Sequence, residues 1–99
     1  MIVVLTPEAE FDLETIAQYI ARDSVTTALS FVHELREKCF ALAEAPRGYP
    51  LVPRYEHLSI RRRPFGNYLI FYRIGTEAIE VVHILHGARD YEALLFPER

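Results

Sequence analysis

The apolar residues of this 99-residue chain recur at helical spacing up to Leu42 and at extended spacing from Leu58 onward, with a proline-rich stretch between the two regimes. A chain that changes period once is neither all-helical nor all-β. In the first regime Leu13, Ile16, Ala17 and Ile20 fall at i, i+3, i+4 and i+7, one face of a helix. Thr6 offers a hydroxyl N-cap, and Pro7 takes the first helical position, where its missing N–H costs nothing. These signals predict a helix from Pro7 to Arg22. Ser24 caps a second helix whose stripe is Ala28, Phe31, Val32, Leu35, Cys39 and Leu42, and Pro46 and Gly48 end it. So short a link predicts an antiparallel helical hairpin.

Ile2–Leu5 reads as a short buried strand, and residues 46–57 hold Pro46, Gly48, Pro50 and Pro53 and are expected to be irregular. Beyond them Leu58–Arg63 alternates, Pro64–Asn67 reads as a turn, and Tyr68–Ile74 is aromatic and β-branched. Gly75-Thr76-Glu77 turns again, Ile79–Leu85 is a further strand, and Tyr91–Phe96 is a short tail with room for a helical turn. The order β-α-α-β-β-β predicts one α+β domain over residues 1–99, an antiparallel sheet with the helical hairpin packed on one face. Strands half-exposed to water alternate apolar and polar, yet the last two are apolar on both faces. Two helices cover one face, which leaves Tyr68, Ile70, Tyr72, Val82 and Ile84 as an expected open patch for a partner chain.

Composition narrows the function classes. The single cysteine, Cys39, excludes an internal disulfide and every multi-cysteine zinc pattern, and its place on the helical stripe marks it as packing. No metal-ligand set, Gly-rich phosphate loop or Ser/His/Asp arrangement stands out, so no cofactor is expected. No segment approaches the ~20 apolar residues of a membrane span, and Met1–Leu5 lacks a basic leader, so a soluble cytoplasmic protein is expected. The net charge of −3 is unevenly spread. Residues 1–46 carry eight acids against three bases, whereas residues 47–73 carry six arginines against one acid. A negative total argues against a surface that grips nucleic acid throughout, and leaves a local anion site open.

Two clusters are candidates for such a site. Arg61-Arg62-Arg63 stands on one predicted strand and Arg73 on its neighbour, with Arg61 and Arg63 on one face and Arg62 on the other. Closure through Pro64–Asn67 would set Arg63 opposite Tyr68 and Arg61 opposite Ile70. Guanidiniums beside aromatic rings suit phosphates and stacked bases, or the carboxylates of an acidic partner, or simply a solvated strand. His83, His86, Arg89 and Asp90 cluster at the end of the last strand. Histidine beside arginine suits acid–base work on a phosphodiester, with Arg61, Arg73 and Arg89 opposing the developing charge. For His83, inside an apolar run, core packing is the plainer reading.

Three stretches resemble a known family: Thr6-Pro7-Glu8-Ala9-Glu10-x-Asp12-Leu13-x-x-Ile16-x-x-Tyr19-Ile20-Ala21, then Arg62-x-Pro64 to Arg73, then Glu80 to Asp90. They are similar to ParE-type toxins of the RelE/ParE superfamily and occur in the family's order. The resemblance implies a growth-inhibiting toxin of a type II toxin–antitoxin module, held by a ParD-like antitoxin in a hetero-oligomer and acting on DNA gyrase. With that function, the charge clusters place the expected target contacts at Arg61, Arg63, Arg73, His86 and Arg89, and the excess apolar face places the antitoxin on Tyr68, Ile70, Tyr72, Val82 and Ile84. Direct sequence-specific nucleic-acid binding and membrane association are not expected. The RelE branch of the same fold implies instead a ribosome-dependent messenger-RNA endoribonuclease, in which Arg61, Arg73, His86, Arg89 and Tyr91 would carry the reaction. A non-toxic co-repressor is the third alternative. The single lysine, Lys38, and the negative net charge depart from the basic ribonuclease pattern and favour the gyrase reading.

Overall fold

The structure, a computed structural model, describes residues 1–97. Strand β1 (Ile2–Leu5) leads into helix α1 (Pro7–Ala21) and helix α2 (Val25–Phe40), and strands β2 (Arg61–Phe65), β3 (Tyr68–Ile74) and β4 (Ala78–His86) precede a short helix α3 (Tyr91–Leu95). The predicted caps are in place. The Thr6 hydroxyl accepts the Ala9 N–H at 3.1 Å, and the Ser24 hydroxyl accepts that of Thr27 at 3.1 Å. Helix α1 stops one residue short of the expected end, with Arg22 as its C-cap, and α2 tightens into a 3-10 turn over Ala41–Glu44 before Pro46.

The four strands lie in the order β1-β4-β3-β2. Three are antiparallel as expected, but β1 adds to β4 in parallel, so the sheet is mixed. The crossover between β1 and the last strand runs through both helices, which is what allows the parallel pairing. The first hairpin closes tighter than Pro64–Asn67 suggested. Only Gly66 and Asn67 connect the strands, with Gly66 at φ 58°, a left-handed position that favours glycine. Pro64 therefore sits inside β2, tolerated because β2 is an edge strand. The register moves by two residues: Arg63 opposes Ile70 and Arg61 opposes Tyr72. A shift of two leaves every side chain on its expected face.

The open patch expected at Tyr68, Ile70, Tyr72, Val82 and Ile84 is not open. Ile70, Tyr72 and Ile84 are buried in the core beneath the helices, together with Leu13, Ile16, Leu35, Cys39, Ile79 and Val81. Tyr68 packs at the margin of this core. The physical reason lies partly in β4, where Phe71 faces His83 but Tyr72 faces Val81, leaving Val82 as the extra residue of a bulge. The bulge switches the phase of alternation, so Ile79 and Val81 before it and Ile84 after it all point at the helices, while Val82 joins the opposite side.

The second face of the sheet is covered by the chain itself. Phe71 and Leu85 pack there against Val52 and Ile60 from the irregular connection and Phe96 from the tail. Tyr55 stacks on Phe96 with ring centroids 3.9 Å apart. The connection needs two left-handed residues that are not glycine, Arg54 at φ 73° and Ser59 at φ 62°. Such conformations cost free energy, and packing over Phe71 and Leu85 holds them. Among the described residues no helix is long and apolar enough to cross a membrane.

Candidate functional site

One groove collects polar and aromatic side chains from three elements. It lies between α1 and the end of the sheet where β3 begins and β4 stops, and encloses about 420 Å³. Asp12, Thr15, Ile16 and Tyr19 form the α1 wall; Asn67, Tyr68, Ile84, Leu85, His86 and Arg89 form the rest. Helical spacing explains the first wall, since residues 12, 16 and 19 share one stripe. The second wall is held by backbone bonds: the Gly87 N–H donates to the Asn67 carbonyl at 2.8 Å, and the Arg89 N–H to the His86 carbonyl at 3.1 Å.

His86 is oriented from both sides. Its Nδ1 accepts the Ala88 N–H at 3.1 Å, which leaves the proton of the neutral ring on Nε2. Tyr68 meets the imidazole edge-on at 5.3 Å, and Phe31 of α2 backs Tyr68 at 5.6 Å. Burial, with the neighbouring Tyr19 phenol adding to it, pushes the Tyr68 hydroxyl above its ordinary pKa. Arg89 makes no ion pair among the described residues. The Arg22 guanidinium rests 5.7 Å from the Tyr19 ring centre at the groove's rim.

Asp12 has a structural task beside the groove. One carboxylate oxygen accepts the Ile84 N–H at 2.9 Å and bonds His83 Nδ1 at 2.7 Å, pinning α1 to β4. His83 is thus neither a packed core histidine nor a free base, and its partner lies 71 residues away in sequence.

The strand arginines do not converge on the groove: Arg61 and Arg63 meet at Tyr49, and Arg62 and Arg73 are held elsewhere. Arg61 donates to the Tyr49 carbonyl at 2.7 Å, and Arg63 donates to the Tyr49 hydroxyl at 2.8 Å with its guanidinium 5.1 Å from that ring's centre. Arg62, on the opposite face, donates to the Tyr91 hydroxyl at 2.7 Å. Arg73 pairs with Glu80 at 2.6 Å across the β3–β4 hairpin. Of the residues expected to contact a target or to work on RNA, only His86 and Arg89 share the groove. Tyr91, a candidate for proton transfer, is engaged by Arg62 and packs on Phe71 at 5.0 Å. Cys39 is fully buried, and desolvation raises its thiol pKa to about 12, which removes it as a nucleophile. No cluster of metal-ligating side chains occurs among the described residues.

Residues 3–91 match the sequence profile of the ParE toxin of the type II toxin–antitoxin system parDE. The chain belongs to the ParE toxin family. This toxin also resembles solved structures at the level of the fold. A chain of the chromosomal ParDE toxin–antitoxin system of P. aeruginosa superposes with TM-score 0.73 at 20% identity, over 87% of this chain and 95% of that one. A chain of the toxin–antitoxin complex RelBE2 of Mycobacterium tuberculosis gives 0.62 at 22% identity, over 86% and 95%. No curated protein matches the sequence. Within the ParE toxin, the polar groove residues of α1, Asp12, Thr15 and Tyr19, were missed as site candidates, as were Ile16, Asn67 and Leu85. The signal on α1 was available, because Asp12, Ile16 and Tyr19 stand at i, i+4 and i+7 inside the family-like opening stretch.

Proposed function

We propose that this ParE toxin arrests growth by binding DNA gyrase as a protein, and that a ParD-like antitoxin neutralises it. The observation that carries the reading is the separation of the cationic groups. Phosphodiester cleavage needs an acid, a base and charge stabilisers within hydrogen-bond reach of one phosphate. Here Arg61, Arg73 and Tyr91 are committed to Tyr49, Glu80 and Arg62, away from His86 and Arg89. A concave groove with apolar walls and a few polar groups suits a protein segment instead. His86 and Arg89 are the proposed target contacts, with Tyr19 and Tyr68 as flanking anchors. Arg61, Arg63 and Arg73 are left to hold the loop and the hairpin. The likeness to the RelBE2 complex extends to the fold and lends the ribonuclease reading no added weight.

The test is a supercoiling assay with purified toxin and gyrase. Inhibition at micromolar toxin, lost in Arg89→Ala, is the expected outcome. Unaltered supercoiling together with cleavage of ribosome-bound messages in a toeprinting assay would reverse the assignment.

A further inference from the structure

Strand β1 ends at Leu5, opposite Val81, so the backbone groups of β4 beyond that point have no strand on their outer side. Side chains of the following helix take the strand's place. The Thr6 hydroxyl donates to the Val82 carbonyl at 3.1 Å, and one Asp12 carboxylate oxygen accepts the Ile84 N–H at 2.9 Å. The terminal torsion of aspartate is soft, so one backbone bond alone leaves the carboxylate able to turn. His83 removes that freedom, because its Nδ1 lies 2.7 Å from the same oxygen. A carboxylate only accepts, so the ring carries a proton on Nδ1. The two side chains are 23% and 13% exposed, which shelters a charge-assisted bond from solvent.

The groove depends on this bond through the places of its partners. Asp12 stands on the α1 wall, one helical turn before Ile16 and two before Tyr19, and Ile84, Leu85 and His86 form the facing wall. Leu13 and Ile16 hold α1 on the sheet by apolar contact, which has no direction and leaves sliding along β4 unopposed. The bonds at Asp12 have direction and fix the helix beside the groove. His83 itself is outside the groove. Its ring lines a separate hollow of about 380 Å³, together with Glu8, Arg73 and Leu94. We propose that His83 is a positioning residue of the toxin: acting through Asp12, it sets the spacing of the walls that carry Tyr19 and His86, a role that rests on the groove being the surface that meets the target. What the position requires is then an N–H donor where Nδ1 stands, not the bulk of a ring.

The experiment compares the full-length toxin with three variants, each held well below its melting temperature, by gyrase supercoiling and by amide hydrogen exchange. His83→Leu keeps bulk and removes the donor. His83→Asn keeps a side-chain N–H in the place of Nδ1, and His83→Gln carries it one bond too far. His83→Leu and His83→Gln are expected to raise the toxin concentration for half-inhibition about tenfold and to speed exchange of the Ile84 amide by about the same factor. His83→Asn is expected to restore both to within about threefold of the parent. Values for His83→Leu within about twofold of the parent in both measurements overturn the proposal. His83→Asn as impaired as His83→Leu overturns it in favour of ring packing. Lost inhibition with unaltered Ile84 exchange overturns it in favour of direct contact between His83 and the target. If His83→Leu does not fold, His83→Gln decides by the same criteria. A parent toxin that leaves supercoiling unaltered sinks the gyrase reading alone; Ile84 exchange then decides the positioning role, and equal rates in parent and His83→Leu overturn it.

Discussion

The two faces of the sheet are covered by different means. The face under α1 and α2 is sealed by two capped helices of regular period, and it holds Leu13, Leu35, Ile70, Tyr72 and Ile84. The opposite face is sealed by an irregular connection and a five-residue helix, with Val52, Ile60 and Phe96 over Phe71 and Leu85. The first cover is propagated by repeated backbone hydrogen bonds. The second depends on single contacts: Arg54 to Glu92 at 2.8 Å, Arg62 to Tyr91, and Tyr55 on Phe96. It also carries the left-handed Arg54 and Ser59. Equal burial in the folded state therefore does not imply equal resistance to local opening.

Thiol labelling gives the largest expected contrast. Cys39 lies in the helix-covered core, where burial raises its pKa to about 12. It should react with a thiol reagent only through global unfolding, slowed roughly 10³-fold or more relative to the denatured chain. A cysteine placed at Leu94, which is exposed on α3, should react without delay. Prompt labelling of native Cys39 would break the comparison. Next, Leu35→Ala should cost about 3 kcal/mol in denaturant unfolding, because a fully buried leucine in a rigid cover leaves a cavity. Phe96→Ala removes a larger side chain, yet about 1–2 kcal/mol is expected, since the tail can fray instead of leaving a void. Hydrogen exchange should show α3 opening well below the global free energy.

Ser59→Gly sharpens the comparison in the other direction. Glycine adopts φ 62° at little cost, so a gain of about 0.5 kcal/mol in thermal unfolding is expected. The smallest effect concerns Glu10, which accepts two bonds from Arg36 at 2.9 Å across the helical hairpin. The hydrogen bonds from Arg36 lower its pKa from the ordinary 4.5. Because the folded pKa is the lower one, this contribution is present above the unfolded value and is lost as pH falls through the folded one. The pair is half-exposed, so Glu10→Gln should cost a few tenths of a kcal/mol at neutral pH and nothing in acid.

Legibility follows the range of the interactions. Both helices and their caps were readable because Thr6 and Ser24 act on residues three positions away. The family was readable because Thr6–Ala21, Arg62–Arg73 and Glu80–Asp90 carry its pattern, and His86 and Arg89 of the groove lie inside the last of these. The failed element was the open apolar patch. Its premise, an excess of apolar side chains on β3 and β4, was sound, but its occupant was misjudged. Residues 46–57 were set aside as irregular, yet Val52 comes from that stretch and, with Ile60 just beyond it, encloses Phe71.

By itself the sequence determined the element order, the helical hairpin, the two strand turns and the toxin family, since each rests on patterns within a few turns of chain or on the recognisable stretches. Tertiary structure alone decided the parallel docking of β1, the two-residue shift of β2, the bulge at Val82 and the Asp12–His83 link. Each of these depends on which distant backbone groups find one another, and a one-residue change of phase in a strand exchanges its faces without altering its composition.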